Sequence, residues 1–299
     1  MKLNITKSKG FTKVGKVKIP DSFYNRFKTG DDDIDKMFGD GILPGCAFTI
    51  TAQAGTGKTT MMLQIMEALE AAGYQTGYTS GEEDVTQLAF TCKRLNIKEA
   101  GVANMTDVDE IADAMKTLDV IVIDSFQALS IDESVHGKMN SRGLEKYACD
   151  TLTSAAKVNN CSIFFIMHLT KDGKMKGGTL VPHSVDCNIQ LMHEPEMGDH
   201  ALTVSFYKNR FGATNDYPAE MTASGIKFSG DVFVPQPKRS EKDKHKDAVL
   251  EMKQTITKTK LINTLGVSSG KAYIILKDLC DEGKLAKVGR GPSATFMKL

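Results

Sequence analysis

The chain has 299 residues, 41% of them hydrophobic and 25% charged, and a formal net charge of +1. That length allows one substantial domain with a smaller companion, or two medium ones, and the composition excludes collagen-like, disordered and disulfide-stapled classes. No apolar run reaches the length of a membrane span and Met1–Gly10 lacks the apolar centre of a signal peptide, so we expect a cytoplasmic protein without a membrane partner.

The small net charge conceals an asymmetry. Residues 1–28 carry a net +7 and residues 236–299 another +7, which leaves 29–235 at −13. Basic ends on an acidic body suggest a polyanion held by the ends, with solubility as the competing explanation. The six cysteines (Cys46, Cys92, Cys149, Cys161, Cys187 and Cys280) are scattered without a CxxC pair. They read as free thiols of a reducing compartment rather than as zinc ligands.

In chain order, residues 1–26 form a Lys-rich, weakly patterned arm. Residues 27–235 alternate apolar runs with helical stretches. Strands are expected at Ala47–Thr51, Gln75–Thr79, Val120–Asp124, Cys161–Met167, Cys187–His193, Leu202–Lys208 and Gly225–Phe228. Helices are expected at Thr59–Ala72, Asp84–Leu95 and Leu144–Asn159. This alternation predicts an α/β fold with a mainly parallel sheet. Residues 236–247 are polar, have Pro235 just before them and Pro237 near their start, and read as a linker. Residues 248–299 then give short helices at Val249–Gln254 and Thr257–Leu265, a longer one at Ser269–Glu282, and strands at Leu285–Val288 and Ala294–Lys298. That order predicts a winged helix-turn-helix.

Ala52-Gln-Ala-Gly-Thr-Gly-Lys-Thr-Thr60 lies between an expected strand and an expected helix and fits the Walker A pattern, with Ala52 replacing its first Gly. Ala54, Gly55, Thr56 and Gly57 can turn successive N–H groups inward around a phosphate, and the following helix adds its N-terminal dipole. Lys58 is positioned to reach the β- and γ-phosphates of ATP, Thr59 to hold Mg²⁺, and Thr60 to complete the cradle. Val120–Asp124 is an apolar strand that delivers an acid at its C-terminal end, a Walker B arrangement in which Asp124 holds Mg²⁺ through water. Ser80-Gly-Glu-Glu-Asp84 follows the strand at 75–79, which is expected to neighbour the P-loop strand. Glu82 or Glu83 could polarise the attacking water; helix capping is the plainer alternative.

Residues 27–230 resemble RadA/Sms, a family of bacterial DNA-repair ATPases in the RecA/DnaB superfamily. The resemblance rests on Phe27-Lys-Thr-Gly-Asp-Asp-Asp-Ile-Asp35, Gly41-Ile-Leu-Pro-Gly45, the P-loop, Thr79-Ser-Gly-Glu-Glu83, Ile123-Asp-Ser-Phe-Gln127, His168-Leu-Thr-Lys-Asp-Gly173 and Lys208-Asn-Arg-Phe-Gly212. The last segment matches the hallmark of that family. The resemblance implies a homo-hexameric ring with ATP between subunits and single-stranded DNA through the centre. It implies that Glu82 activates water and that Gln127 and His168 sense the γ-phosphate. Lys208 and Arg210 would act as fingers in the neighbouring subunit's site. Two loops would face the DNA: Ile131–Arg142, with Lys138 and Arg142, and Lys171–Gly178, with Lys171, Lys174 and Lys176.

That family normally carries a four-cysteine zinc element and a Lon-like domain; in their places this sequence is expected to have the basic arm and the winged helix. A compact motor with exchanged accessories suits a bacterial cytoplasm and a phage-encoded origin. In the winged helix, Lys271 and Lys277 on the third helix and Lys287 and Arg290 on the wing are candidate contacts to duplex DNA, with a partner protein as the alternative ligand. The preferred reading is an ATP-dependent helicase or translocase. A KaiC-like signalling ATPase and an ATP-regulated DNA-binding regulator without translocation are the competitors.

Overall fold

Apolar, β-branched runs become strands, and the amphipathic stretches between them cover both faces of the resulting sheet. The computed structural model describes residues 12–168, 180–232, 241–252, 255–289, 291 and 294–299. Residues 1–11 of the expected basic arm, Lys171, Lys174, Lys176, Arg290 and residues 236–240 of the expected linker lie outside the described residues. The chain divides into two units, Met1–Phe233 and Val234–Leu299.

The larger unit runs α1 (Asp32–Met37), β1 (Ala47–Ala52), α2 (Lys58–Ala71), β2 (Thr76–Ser80), α3 (Val85–Leu95), β3 (Gly101–Ala103), α4 (Val108–Ala114) and β4 (Val120–Asp124). It continues with α5 (Glu133–His136), α6 (Ser141–Asn159), β5 (Ser162–His168), α7 (Leu180–Ser184), β6 (Cys187–His193), β7 (Ala201–Asn209), β8 (Asp216–Thr222) and β9 (Gly225–Phe228). The sheet order is β3-β2-β4-β5-β1-β6-β7-β8-β9. The strands from β3 to β6 are parallel, and β7, β8 and β9 close the sheet as antiparallel strands. The fold is therefore α/β with a mainly parallel sheet, as the alternation of elements predicts. The strand after the P-loop helix, β2, does not neighbour β1: the crossover through α2 carries the chain past two strand positions that β4 and β5 later fill.

One sheet face packs on α1, α2 and α3 around Phe48, Ile50, Met62, Leu69 and Phe164, and the other packs on α4, α6 and α7 around Ile111, Ile123, Leu152, Phe165 and Val181. On the first face Phe48 and Phe164 stack at 4.4 Å between centroids, and Phe38 meets Phe164 edge-on at 6.0 Å. Capping follows the sequence: Asp84 and Gln87 form a reciprocal capping box on α3, and Asn96 ends it in a left-handed conformation. Gln64 on α2 accepts from Ile226 N at 2.7 Å and donates to Ile226 O at 3.2 Å, tying the P-loop helix to the far strand β9.

Two expected irregular stretches contain helix. The stretch Ile131–Arg142 contains α5, capped by Asp132, and Arg142 belongs to the first turn of α6, capped by Asn140. In the smaller unit α8 spans Glu241–Glu251, so it opens inside the expected linker and ends before Gln254. Tertiary contacts decide this: Val249 is fully buried, and Lys246 pairs with Asp278 and Glu282. The unit continues with β10 (Ile256–Thr257), α9 (Lys258–Leu265), α10 (Ser269–Asp281), β11 (Leu285–Val288) and β12 (Thr295–Lys298), and its sheet has the order β10-β12-β11. Leu261, Ile275, Leu276 and Leu279 form its core with Val249. Among the described residues no helix is long and apolar enough to cross a membrane. Five cysteines are buried free thiols and Cys280 is half-buried.

Phe164→Ala should destabilise the larger unit by about 3–5 kcal/mol, the usual cost of truncating a buried aromatic. Phe90→Ala, at a side chain 75% exposed on α3, should change stability by less than about 0.5 kcal/mol. Paired chemical denaturation curves check both outcomes.

Candidate nucleotide site

Strand register builds the site. β2 pairs with β4 so that Ser80 aligns with Asp124, and β1 pairs with β5 so that Ala52 aligns with His168. The P-loop, the Ser80–Asp84 turn, Asp124 and His168 therefore emerge together at the C-terminal edge of the parallel strands, where open α/β sheets form their ligand crevice.

The P-loop turns sharply because Gly55 and Gly57 adopt φ of 79° and 108°, a region that side chains rarely tolerate. A Cβ at Gly55 would meet nothing within 4 Å, whereas one at Gly57 would stand 2.5 Å from Met221 Cε. The first glycine thus leaves an open cradle and the second permits close packing. Thr56 Oγ1 donates to Gln53 O at 2.9 Å and shapes the turn, while Ala54 is exposed along it. Thr60, the third residue of α2, is buried. Lys58 is buried, with its ammonium 3.5 Å from Ala52 O and 3.4 Å from Gln53 O. Burial lowers the Lys58 pKa, against the opposing pull of Asp124 and Glu82.

Asp124 is the convergence point. Its Oδ2 accepts from Tyr78 OH at 2.5 Å and from Thr59 Oγ1 at 3.4 Å. The Asp124–Ser125 peptide is cis. Ser125 Oγ donates to Glu82 Oε1 at 2.6 Å, and His168 Nε2 lies 3.1 Å from the same oxygen without the geometry of a hydrogen bond. One ligand atom each from Glu82, Asp124 and His168 falls within 4.8 Å of the others, a set that could hold a metal ion. The ring nitrogen left unpartnered and the oxygen pair of Thr59 and Asp124 fit a divalent cation and the phosphate oxygens beside it.

The two acids that follow β2 separate in this geometry. Glu82 faces Ser125 and His168, whereas the Glu83 carboxyl is pushed up by burial and then by Asp124 and Glu82. Three contributors were not foreseen from the sequence. Tyr78 holds Asp124, Ser125 orients Glu82, and Asn104 Nδ2 donates to Ser80 O and Glu83 O to brace the turn. Their partners lie on other strands or in the turn after β2, and only the strand order could have revealed them.

The remaining expected residues stand apart from this cluster. Gln127 is exposed in the short turn after β4. It lines, with Arg142, Phe126, Met167, Leu180 and His183, a cavity of about 700 Å³ on the α6–α7 side of the sheet. Lys138 is exposed between α5 and α6. Lys208 donates to Pro182 O, His183 O and Val185 O at 3.0, 3.2 and 2.7 Å, closing the C-terminal end of α7. Burial and Arg210 lower its pKa. Arg210 pairs with the buried Asp186 at 3.0 Å while half of its side chain stays exposed. Asp186 in turn accepts from Ala47 N at 3.1 Å. Within one chain both cations are thus engaged with their own subunit. In the smaller unit Lys277 and Lys287 are exposed and Lys271 is half-buried.

Burial, reinforced by Glu82, raises the Asp124 pKa; Tyr78, His168 and Lys58 oppose it. The fold therefore holds the Asp124 proton to higher pH than the unfolded chain does. Its penalty to stability is absent below the ordinary carboxylate range, grows as pH rises toward the raised value, and is constant above it. In protein free of nucleotide and magnesium, Asp124→Asn should raise the melting temperature near neutral pH. The gain should fade as pH drops into the ordinary carboxylate range, and a pH series of melting curves checks it.

Comparison with known proteins places this geometry. No family model matches the chain. The "DNA repair protein RadA" of Haemophilus influenzae is 33% identical over 208 residues, covering 68% of this chain and 44% of that protein. Its namesake in Escherichia coli is 30% identical over 207 residues, covering 68% and 44%, and that of Mycobacterium tuberculosis 30% over 194 residues, covering 63% and 40%. The chain thus spans less than half the length of the curated relatives it matches. Among solved structures, a KaiC-like protein of Pyrococcus horikoshii superposes with a TM-score of 0.56 at 17% identity, covering 68% of this chain and 98% of that one. The RadB recombinase superposes at 0.51 and 16%, covering 67% and 98%. These two likenesses carry the fold alone, a RecA-like α/β core. The sequence relatives settle its affiliation: over about two thirds of its length, the chain belongs to the RadA family.

Proposed function

We propose that the larger unit is a magnesium-dependent ATPase that works as a ring-forming motor on single-stranded DNA, in repair, recombination or replication. The observation that carries this reading is the convergence of an open P-loop with Thr59, Asp124, Glu82 and His168 at one crevice, in a chain related to DNA repair proteins. Main-chain N–H groups from Ala54 to Thr60 would cradle the phosphates, and Lys58 would turn from the carbonyls of Ala52 and Gln53 toward them. Thr59 and Asp124 would hold Mg²⁺, which when bound supplies charge neutralisation at the transferring phosphoryl group. Glu82, oriented by Ser125, would accept the proton of the attacking water, and Gln127 and His168 would report the γ-phosphate to the DNA-facing segments.

Lys208 and Arg210 would act across a subunit boundary. Arg210 needs only to leave Asp186, and its half-exposed side chain favours that exchange. Lys208 must give up three carbonyls of its own chain, so its transfer would release the end of α7. Lys138, Arg142, Lys171, Lys174 and Lys176 would contact the DNA backbone, and a homo-hexamer is the assembly that closes such sites into a ring. The smaller unit's order of helix, short strand, two helices and two strands supports a winged helix.

ATP turnover, with and without single-stranded DNA, tests the reading. DNA should stimulate turnover, and Lys58→Ala should reduce it more than about tenfold. Arg210→Ala should lower it by roughly 10³–10⁵-fold, the usual contribution of a trans arginine. Arg210→Ala and Lys58→Ala subunits mixed together should recover activity, because some interfaces then pair an intact P-loop with an intact finger. Turnover indifferent to DNA would favour a signalling ATPase, and no recovery at any mixing ratio would contradict a shared site.

A further inference from the structure

We propose that the smaller unit docks an acidic, amphipathic peptide segment of a partner protein in the groove between α9, α10 and the β11–β12 hairpin. A cavity of about 510 Å³ opens there, within the range of about 300–1,000 Å³ typical of sites that enclose a ligand. Its floor is core: Leu276 is 1% exposed and Ala294 5%. Its walls are the exposed Tyr273 ring on α10 and Phe296 on β12.

Three lysines stand at the rim. Lys258 reaches across from α9 with its ammonium 5.9 Å from the centre of the Tyr273 ring, Lys277 lies one turn along α10, and Lys287 rises from β11. Among the described residues none of the three has an acidic partner. By contrast Lys246 takes both Asp278 and Glu282, and Lys284 takes Glu282. The groove therefore offers an apolar slot ringed by uncompensated positive charge. Its complement is a chain with Leu or Phe on one face and carboxylates flanking them.

The shape distinguishes this ligand from duplex DNA. A helix that reads DNA must protrude into the major groove. Here Tyr273 and Lys277 line a concavity whose opposite wall is Lys287 and Phe296. A phosphate backbone would meet the lysines but leave the apolar floor unfilled.

Fluorescence anisotropy on the full chain tests the proposal. The probe is a labelled peptide of about a dozen residues, acidic on one helical face with Leu and Phe on the other. A scrambled peptide of the same composition and an unlabelled DNA duplex serve as competitors. The amphipathic peptide should bind at least tenfold more tightly than the scrambled one. Lys258→Glu, Lys277→Glu and Lys287→Glu together should weaken it at least tenfold, and Tyr273→Ala, at an exposed side chain, about fivefold. Absence of peptide binding, equal binding of the scrambled peptide, or indifference to both variants would overturn the proposal. Duplex binding tighter than the peptide's, with the same lysine dependence, would overturn it in favour of nucleic acid.

Discussion

A carboxylate held out of water at the end of a central strand governs the larger unit. Asp124 is 5% exposed, carries a raised pKa, and faces a second acid, Glu82, across a few ångströms. A fold optimised for stability alone would not bury Asp124 beside the exposed Glu82, since the buried carboxylate loses hydration and meets a like charge. The surroundings fit a cation instead. Tyr78 and Thr59 donate to Asp124, Lys58 stands near without pairing directly, and His168 keeps an unpartnered ring nitrogen. Stability given up here is what a site prepared for charged ligands requires.

The rest of the unit holds these groups at one edge. Parallel register places Ser80 beside Asp124 and His168 beside Ala52, so four strands deliver their ends to one crevice. Two cores fix the sheet between its helical layers, and Gln64 joins the P-loop helix to β9. On the other side of β1, the Asp186–Arg210 pair and the Lys208 contacts tie α7 to β7. Residues that would act on a neighbouring subunit are thus stored in the subunit's own hydrogen bonds. Their release would couple assembly to the segment ending at α7.

Much of this was legible because it is local. The P-loop needs glycines, a lysine and a hydroxyl within nine residues, and β4 declares itself as an unbroken apolar run ending in an acid. β6, β9 and β11 have the expected bounds. What stayed hidden depends on partners distant in sequence. Nothing near Tyr78 says that its hydroxyl meets Asp124, and the separation of β2 from β1 by two intervening strands follows only from the whole topology. β8 was obscured by Asp216, Pro218 and Glu220, and β3 by its three-residue length. The charge-rich start of α8 resembles a linker until Lys246 finds Asp278 and Glu282.

The most direct measurement is the affinity of a non-hydrolysable ATP analogue, by calorimetry, with magnesium and with chelator. If Asp124 and Thr59 form the cation's seat, magnesium should tighten binding to the unaltered chain at least tenfold, which corresponds to about 1.4 kcal/mol. The same comparison on Asp124→Asn should show most of that gain lost, while binding in chelator is little changed. Equal tightening by magnesium in both proteins would contradict the assignment of Asp124 as the centre of the site.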